Sequence, residues 1–211
     1  MRVFRPFLGA ALAALALAAP ATARAGSIAF VFDAGLRTMS NSGDTEKAIF
    51  DSPLGLGLGV GATYDRGARW RFGLDLRRVS RDGERAFAAD RTAPAFRLGH
   101  PLNFTLLEGM ATVSRRFEKL WKVHPYVSAG AGVASWKERS EIAGLVEKAN
   151  GVAPLLEGRL GLEHARGRFR YGLEGGITFI PGAIGVGGIS KVYEESDLGG
   201  FFVAARLGFS R

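Results

Sequence analysis

Chemistry in this 211-residue chain would have to sit on three histidines, an alternating glycine run or a set of charged residues at regular spacing. Nucleophilic catalysis needs a base within hydrogen-bond reach of the nucleophile, usually with a carboxylate orienting that base. His100, His124 and His164 are followed by Pro-Leu, Pro-Tyr and Ala-Arg, so no His-x-Ser segment occurs, and no triad can be assembled from the spacing. The chain has no cysteine, which excludes disulfides, thiolate metal sites and an acylated cysteine anchor. The run Gly55-x-Gly57-x-Gly59-x-Gly61 superficially matches a phosphate-binding loop, but that chemistry requires a strand-turn-helix context. Here the spacing is a strict two and no helix follows, so the run reads as strand.

The charged residues become meaningful once the elements that carry them are laid out. Apolar residues recur at every second position, the mark of a strand whose two faces meet different surroundings. Leu54, Leu56, Leu58, Val60, Ala62 and Tyr64 share one face, against Gly55, Gly57, Gly59, Gly61, Thr63 and Asp65. Trp70, Phe72, Leu74 and Leu76 alternate with Arg71, Gly73, Asp75 and Arg77, and Ile28, Phe30 and Phe32 with Ala29, Val31 and Asp33. The same rule holds for Tyr126–Val133, Leu156–Glu163, Phe169–Phe179 and Phe201–Ser210. A remaining segment, Leu102–Phe117, changes phase near Leu106-Leu107, which reads as a β-bulge. Together these are eight strands. Their parity places Asp33, Arg71, Asp75, Arg77, Glu157, Arg159, Glu163, Arg170, Glu174 and Arg206 on the face opposite the apolar one, five acids and five bases.

Connections alternate between short and long. Asp65–Arg69, Phe117–Lys122 and Ala165–Arg168 are tight turns, whereas 38–52, 81–99, 137–152 and 181–197 are long polar loops. Short turns on one side, long loops on the other and strands of about ten residues describe a barrel that crosses a bilayer. Closure is compulsory there, because an open sheet edge leaves backbone groups unpaired in hydrocarbon. The fold class expected is therefore all-β, an eight-stranded antiparallel up-and-down transmembrane β-barrel. A soluble lipid-carrying barrel would invert the two faces. Aromatic residues fall where interfacial girdles belong: Tyr64, Trp70, Trp121, Phe169 and Tyr171 by the short turns, Trp136 and Phe179 by the long loops.

The first 25 residues read as a secretory signal peptide, with Arg2 and Arg5 ahead of the apolar stretch Phe7–Ala19 and a small-x-small site at Ala23-Arg24-Ala25. Residues 26–211 form the one domain. Beyond residue 25 no stretch is long and apolar enough for a membrane helix. Of the formal net charge of +8, three positive charges leave with the signal segment, and the remaining basic residues are spread along the chain. No nucleic-acid partner is expected from such a distribution.

The signal segment, the eight-strand rhythm, the stretch Pro125-Tyr126-Val127-Ser128-Ala129-Gly130-Ala131-Gly132 and the aromatic final strand resemble the small outer-membrane β-barrel superfamily that includes the OmpA transmembrane domain, OmpX and OmpW. The resemblance covers Gly26–Arg211. It implies an outer-membrane location with both termini in the periplasm, and contact with outer-membrane lipid and lipopolysaccharide. It also implies that Phe201, Val203, Leu207 and Phe209 form the signal read by the barrel-assembly machinery, although Ser210 and Arg211 follow the last aromatic here. No peptidoglycan-binding extension is expected.

Eight strands enclose room for side chains or one small ligand, and buried charges left unpaired cost several kcal/mol. The inward charges should therefore form a salt-bridge network that fills the lumen, giving a structural or surface-interaction protein with any extracellular ligand at the four loops. A narrow pore or a conduit for a small or hydrophobic ligand is the alternative. The inward glycines Gly55–Gly61 leave space for it, and equally leave space for long side chains opposite. Lipid A-modifying enzymes occur on this architecture, but they require the His-Ser arrangement missing above. No catalytic residue, metal or cofactor is expected.

Overall fold

The computed structural model describes residues 26–39, 43–50, 52–142, 144–185 and 188–210. The expected signal segment, residues 1–25, lies outside the described residues, as does Arg211.

Period-two sequence becomes eight strands: β1 (Ser27–Arg37), β2 (Gly55–Arg66), β3 (Trp70–Phe87), β4 (Phe96–Arg116), β5 (His124–Ile142), β6 (Leu145–Arg166), β7 (Phe169–Phe179) and β8 (Gly200–Ser210). Each pairs antiparallel with its neighbour in sequence, and β8 returns to β1 to close the ring. The closing seam sets Phe30 opposite Phe209 on the outside and Asp33 opposite Arg206 on the inside. Every strand thus has two partners, and across the apolar belt no edge is exposed. At the turn end, Gly67 (φ 67°) and Gly167 (φ 62°) take the left-handed conformation that tight hairpins require. At the loop end stand two short helices, α1 (Asp44–Ile49) and α2 (Ile189–Val192).

The strands differ greatly in length. β1, β7 and β8 have 11 residues, whereas β4 has 21 and β6 has 22. At about 3.3 Å per residue, 22 residues reach roughly 70 Å, well beyond what a tilted strand needs to cross hydrocarbon. β3–β6 therefore rise beyond the apolar belt as a wall on one side of the mouth. This corrects two of the four expected loops. Most of 81–99 is strand, with β3 running to Phe87 and β4 starting at Phe96. Most of 137–152 is a hairpin in which Ile142 pairs with Leu145. Above the belt the inward face carries polar side chains too, among them the buried Arg81, Glu138 and Ser140, so the apolar–polar alternation disappears and the sequence reads as loop.

The bulge expected at Leu106-Leu107 is also absent. Pairing of β4 with β5 is continuous from Leu102↔Ser140 to Arg116↔Tyr126, and the register shift falls instead between Glu84 and Ala86 of β3. The strand keeps its phase while the lumen around it changes chemistry: Leu102, Phe104 and Leu106 point inward just as Glu108, Thr112 and Ser114 do.

Outside, the belt is apolar. Phe30, Leu56, Leu76, Leu160, Leu173 and Val203 are each between 57% and 67% exposed, an arrangement stable against hydrocarbon and not against water.

Candidate functional site

The pleat brings all ten of the charges singled out in the sequence into the lumen, in two groups. Near the turn end, Arg71 spans the barrel, donating from Nε to Asp65 (2.7 Å) and as a fork to both carboxylate oxygens of Glu163 (2.6 and 2.7 Å). Arg116 (3.4 Å) and Arg170 also pair with Asp65, and Arg170 donates to the Ser27 hydroxyl.

Further in, Arg159 is the hub. It meets Asp75 (3.2 Å), Glu174 (3.3 Å) and its own strand neighbour Glu157. Arg206 closes the circle to Asp75 and Glu174, both at 3.0 Å, and the Tyr126 hydroxyl donates to Glu174 at 2.7 Å. Arg77 reaches Glu157 (2.8 Å) and Asp33 (3.4 Å) while its guanidinium lies 4.7 Å from the Phe202 ring centre. Arg37 pairs with Glu108 at the top of this group. The inward glycines make room for these groups: a Cβ on Gly59 would fall on the Asp33 carboxylate, on Gly61 against Asp75, and on Gly55 against Arg81. A cavity of about 10 Å³, bordered by Val31, Tyr126, Glu163, Arg170 and Arg206, lies between the two ion-pair groups, no more than one water needs.

Above the ion pairs the lumen is apolar. Val79, Leu102, Phe104, Leu106, Ala134 and Leu155 face inward from β3–β6 and are almost wholly buried. Against them pack Met39, Ile49 and Phe50 around α1, and Ile180, Ile184, Ile189 and Leu198 around α2. Glu46 and Arg81 pair inside this cap. Glu46 accepts from the Met39 N–H (3.1 Å) and binds Arg81, whose guanidinium stacks 4.0 Å from the Phe50 ring centre. α1 begins at Gly43 with no side-chain cap of its own. The Glu195 carboxylate supplies one from the opposite connection, accepting from the N–H groups of Asp44 (2.9 Å) and Thr45 (3.1 Å). Asp197 fixes the base of the α2 connection by accepting from Ile180 and Gly199 N–H, both at 2.8 Å.

Several members escaped the sequence reading. Arg37 and Asp65 share parity with Asp33 and Thr63 and were legible by simple extension of β1 and β2. Glu108 lies in the segment where the bulge is expected, and Tyr126, on the non-apolar face of its strand, carries no charge to single it out. Arg81 and Glu46 fell within segments read as loop. Trp136 departs from the expected girdle: its even position on β5 turns it inward, half-buried against the cap, where Gly151 and Gly182 leave space for its ring. Trp70, Phe169, Tyr171 and Phe179 do face outward, between 43% and 54% exposed, and Tyr64 shares their face. Trp121 stands at the tip of the β4–β5 turn, 94% exposed. Phe201, Val203, Leu207 and Phe209 line the outer face of β8. His124 and His164 lie at the turn end and His100 high on β4, and no two of them face each other across a strand pair. Among the described residues no group of three or more His, Asp or Glu is arranged to hold a metal ion.

A closed ring of eight antiparallel strands, apolar outside and ion-paired inside, defines a small transmembrane β-barrel. The chain has the fold of the eight-stranded outer-membrane barrels. It superposes on Neisserial surface protein A with a TM-score of 0.55 at 15% identity, covering 88% of this chain and 99% of that one. The attachment invasion locus protein of Yersinia pestis, solved with the heparin analogue sucrose octasulfate, gives 0.54 at 13% identity over 89% and 100% of the two chains. A major outer membrane protein from Thermus thermophilus gives 0.56 at 10% identity over 87% and 99%. No family model matches the sequence. No curated protein matches it either.

Proposed function

We propose that this protein is an integral outer-membrane barrel with a non-conducting lumen, working as a structural or surface-interaction protein. The turns face the periplasm and the loops the exterior, as expected for a chain that enters from the periplasm. The observation that carries this reading is the stacking of an apolar cap on a self-neutralising ion-pair core. Ions meet buried arginine–carboxylate pairs at one level and dehydrated side chains at the next, and both are costly to cross. The tall wall β3–β6 and the helices α1 and α2 then present a shaped surface to the exterior, where recognition is built on rigid scaffolds. Lipopolysaccharide and outer-membrane lipid are the surrounding partners, and the outward aromatic face of β8 is the segment offered to the barrel-assembly machinery. No catalytic role is assigned to the histidines.

The test is single-channel recording in planar bilayers. The barrel should give no stable conductance step at physiological salt. Reproducible unitary steps from the heat-modifiable, folded protein would favour the narrow-pore reading instead.

A further inference from the structure

The outside of the turn end carries a charge imbalance that the lumen leaves unused. Arg66 and Arg69 on the β2–β3 turn, Lys119 and Lys122 on the β4–β5 turn, and Arg166 and Arg168 on the β6–β7 turn are all exposed. Among the described residues of these turns, Glu118 is the single exposed acid. None of the six cations makes a side-chain ion pair among the described residues. At the loop end cations and acids are mixed: Arg91 pairs with Glu194, Arg85 with Glu147 and Lys47 with Asp44, and the exposed Lys137, Arg139 and Lys148 share the rim with the exposed Asp82 and Glu141.

The β4–β5 turn adds shape to this charge. Leu120 and Val123 exchange backbone hydrogen bonds of 2.9 and 3.1 Å, making a small hairpin that displays Leu120 at 62% and Trp121 at 94% exposure. The hairpin leans on the outer face of β6 and β7. There His164 donates from Nδ1 to the Lys122 carbonyl at 2.5 Å, and its ring lies 5.0 Å from Tyr171. Between hairpin and wall runs a groove of about 510 Å³ bordered by Lys122, Val123, Leu162, His164, Tyr171 and Leu173. It continues along the outer wall past Leu160, Gly175 and Val203. A cation therefore stands at the mouth of an apolar channel on the membrane-facing surface.

We infer that the turn end is a binding collar for anionic glycerophospholipids, with the headgroup phosphate at Lys119 and Lys122 and an acyl chain laid along Leu162 and Leu173. Leu120 and Trp121 sit in the headgroup layer, where an exposed indole is stable. The unmatched positive charge selects an anionic headgroup, since a zwitterionic one brings its own ammonium. The apolar floor distinguishes a lipid from a soluble phosphate. This inference rests on the outer-membrane reading, with the turns at the periplasmic leaflet.

The experiment is native mass spectrometry of the full mature barrel in detergent, offered phosphatidylglycerol and phosphatidylcholine in equal amounts. Phosphatidylglycerol should be retained preferentially. Each cation near an anionic surface contributes about fivefold, so Lys119→Gln with Lys122→Gln should weaken retention roughly 25-fold. A loop-end control, Lys137→Gln with Arg139→Gln, should leave it unchanged. Glycerol phosphate should not compete; full competition would make the site one for free phosphate and overturn the lipid assignment. Equal retention of both lipids by a heat-modifiable barrel overturns the inference while leaving the outer-membrane reading intact. A chain that is soluble without detergent and not heat-modifiable overturns both.

Discussion

The two halves of the lumen are built on the same strand parity with opposite chemistry. Toward the turns, inward positions hold Asp33, Asp65, Arg71, Asp75, Arg77, Glu157, Arg159, Glu163 and Glu174, each facing an opposite charge. Toward the loops the same positions hold Leu102, Phe104, Leu106 and Leu155, completed by residues from outside the sheet. The lower half is specified by charge pairing between strands. The upper half is a mainly apolar core, with the Glu46–Arg81 pair inside it, completed by two connections folding inward. On the proposed reading the barrel is shut by two mechanisms at once, one electrostatic and one hydrophobic.

The comparison is most exposed to failure at Arg159. Its side chain is 2% exposed and serves Asp75, Glu157 and Glu174, so Arg159→Ala should destabilise the barrel by roughly 3–5 kcal/mol by stranding buried carboxylates. Urea unfolding in lipid vesicles would read the loss, and a change below about 1 kcal/mol would mean that water compensates the lower half. In the cap, Phe104→Ala removes a wholly buried ring and should cost about 3 kcal/mol by leaving a cavity. If the cap were loosely packed, the same assay would show almost no effect.

Glu195→Gln weakens the side-chain cap that α1 receives from across the mouth and should cost about 1 kcal/mol. The change should show as faster amide exchange at Asp44 and Thr45 while the strands stay protected. At the rim, Arg91 and Glu194 are 68% and 74% exposed, so Arg91→Ala should shift stability by no more than about 0.5 kcal/mol. Smallest is a local pH effect. Hydrogen bonds from the Thr92 hydroxyl and the Thr92 and Ala93 N–H groups hold the Asp90 carboxyl below its ordinary pKa. A depressed carboxyl stabilises its turn above the unfolded pKa and loses that contribution as pH falls through the folded one. Exchange at the Thr92 and Ala93 amides, after correction for intrinsic rates, should therefore rise on acidification, and a pH-independent ratio would remove the turn from the account.

The lower half was legible because its chemistry alternates with that of the belt. Period two separates Asp75 from Leu74 and Leu76 without any knowledge of partners, and the charges then follow from parity. The cap was illegible for the same reason. On β4 the inward Leu102, Phe104 and Leu106 resemble the outward Leu107 and Val113, so a change of lumen chemistry imitates a slip of phase. Trp136 was misread because an aromatic near a strand end has the same appearance whether it faces lipid or a core glycine. The upper parts of β3–β6 carry polar residues on both faces, and polar strand and polar loop differ only in pairing. Glu195 reaching across to α1 joins residues about 150 apart in sequence, and local pattern carries no trace of that contact.

We propose that cap and ion-pair core together close the lumen. Because the chain has no cysteine, single cysteines report access directly. Ala204→Cys lies among the ion pairs and Ala134→Cys beneath the cap, at 5% and 0% exposure, with Arg91→Cys as the open reference. With a membrane-impermeant maleimide added to the folded barrel, labelling should be rapid at position 91 and essentially absent at 134 and 204 until the barrel is unfolded. Labelling of 204 at a rate near that of 91 would show a water-filled lumen and contradict that closure.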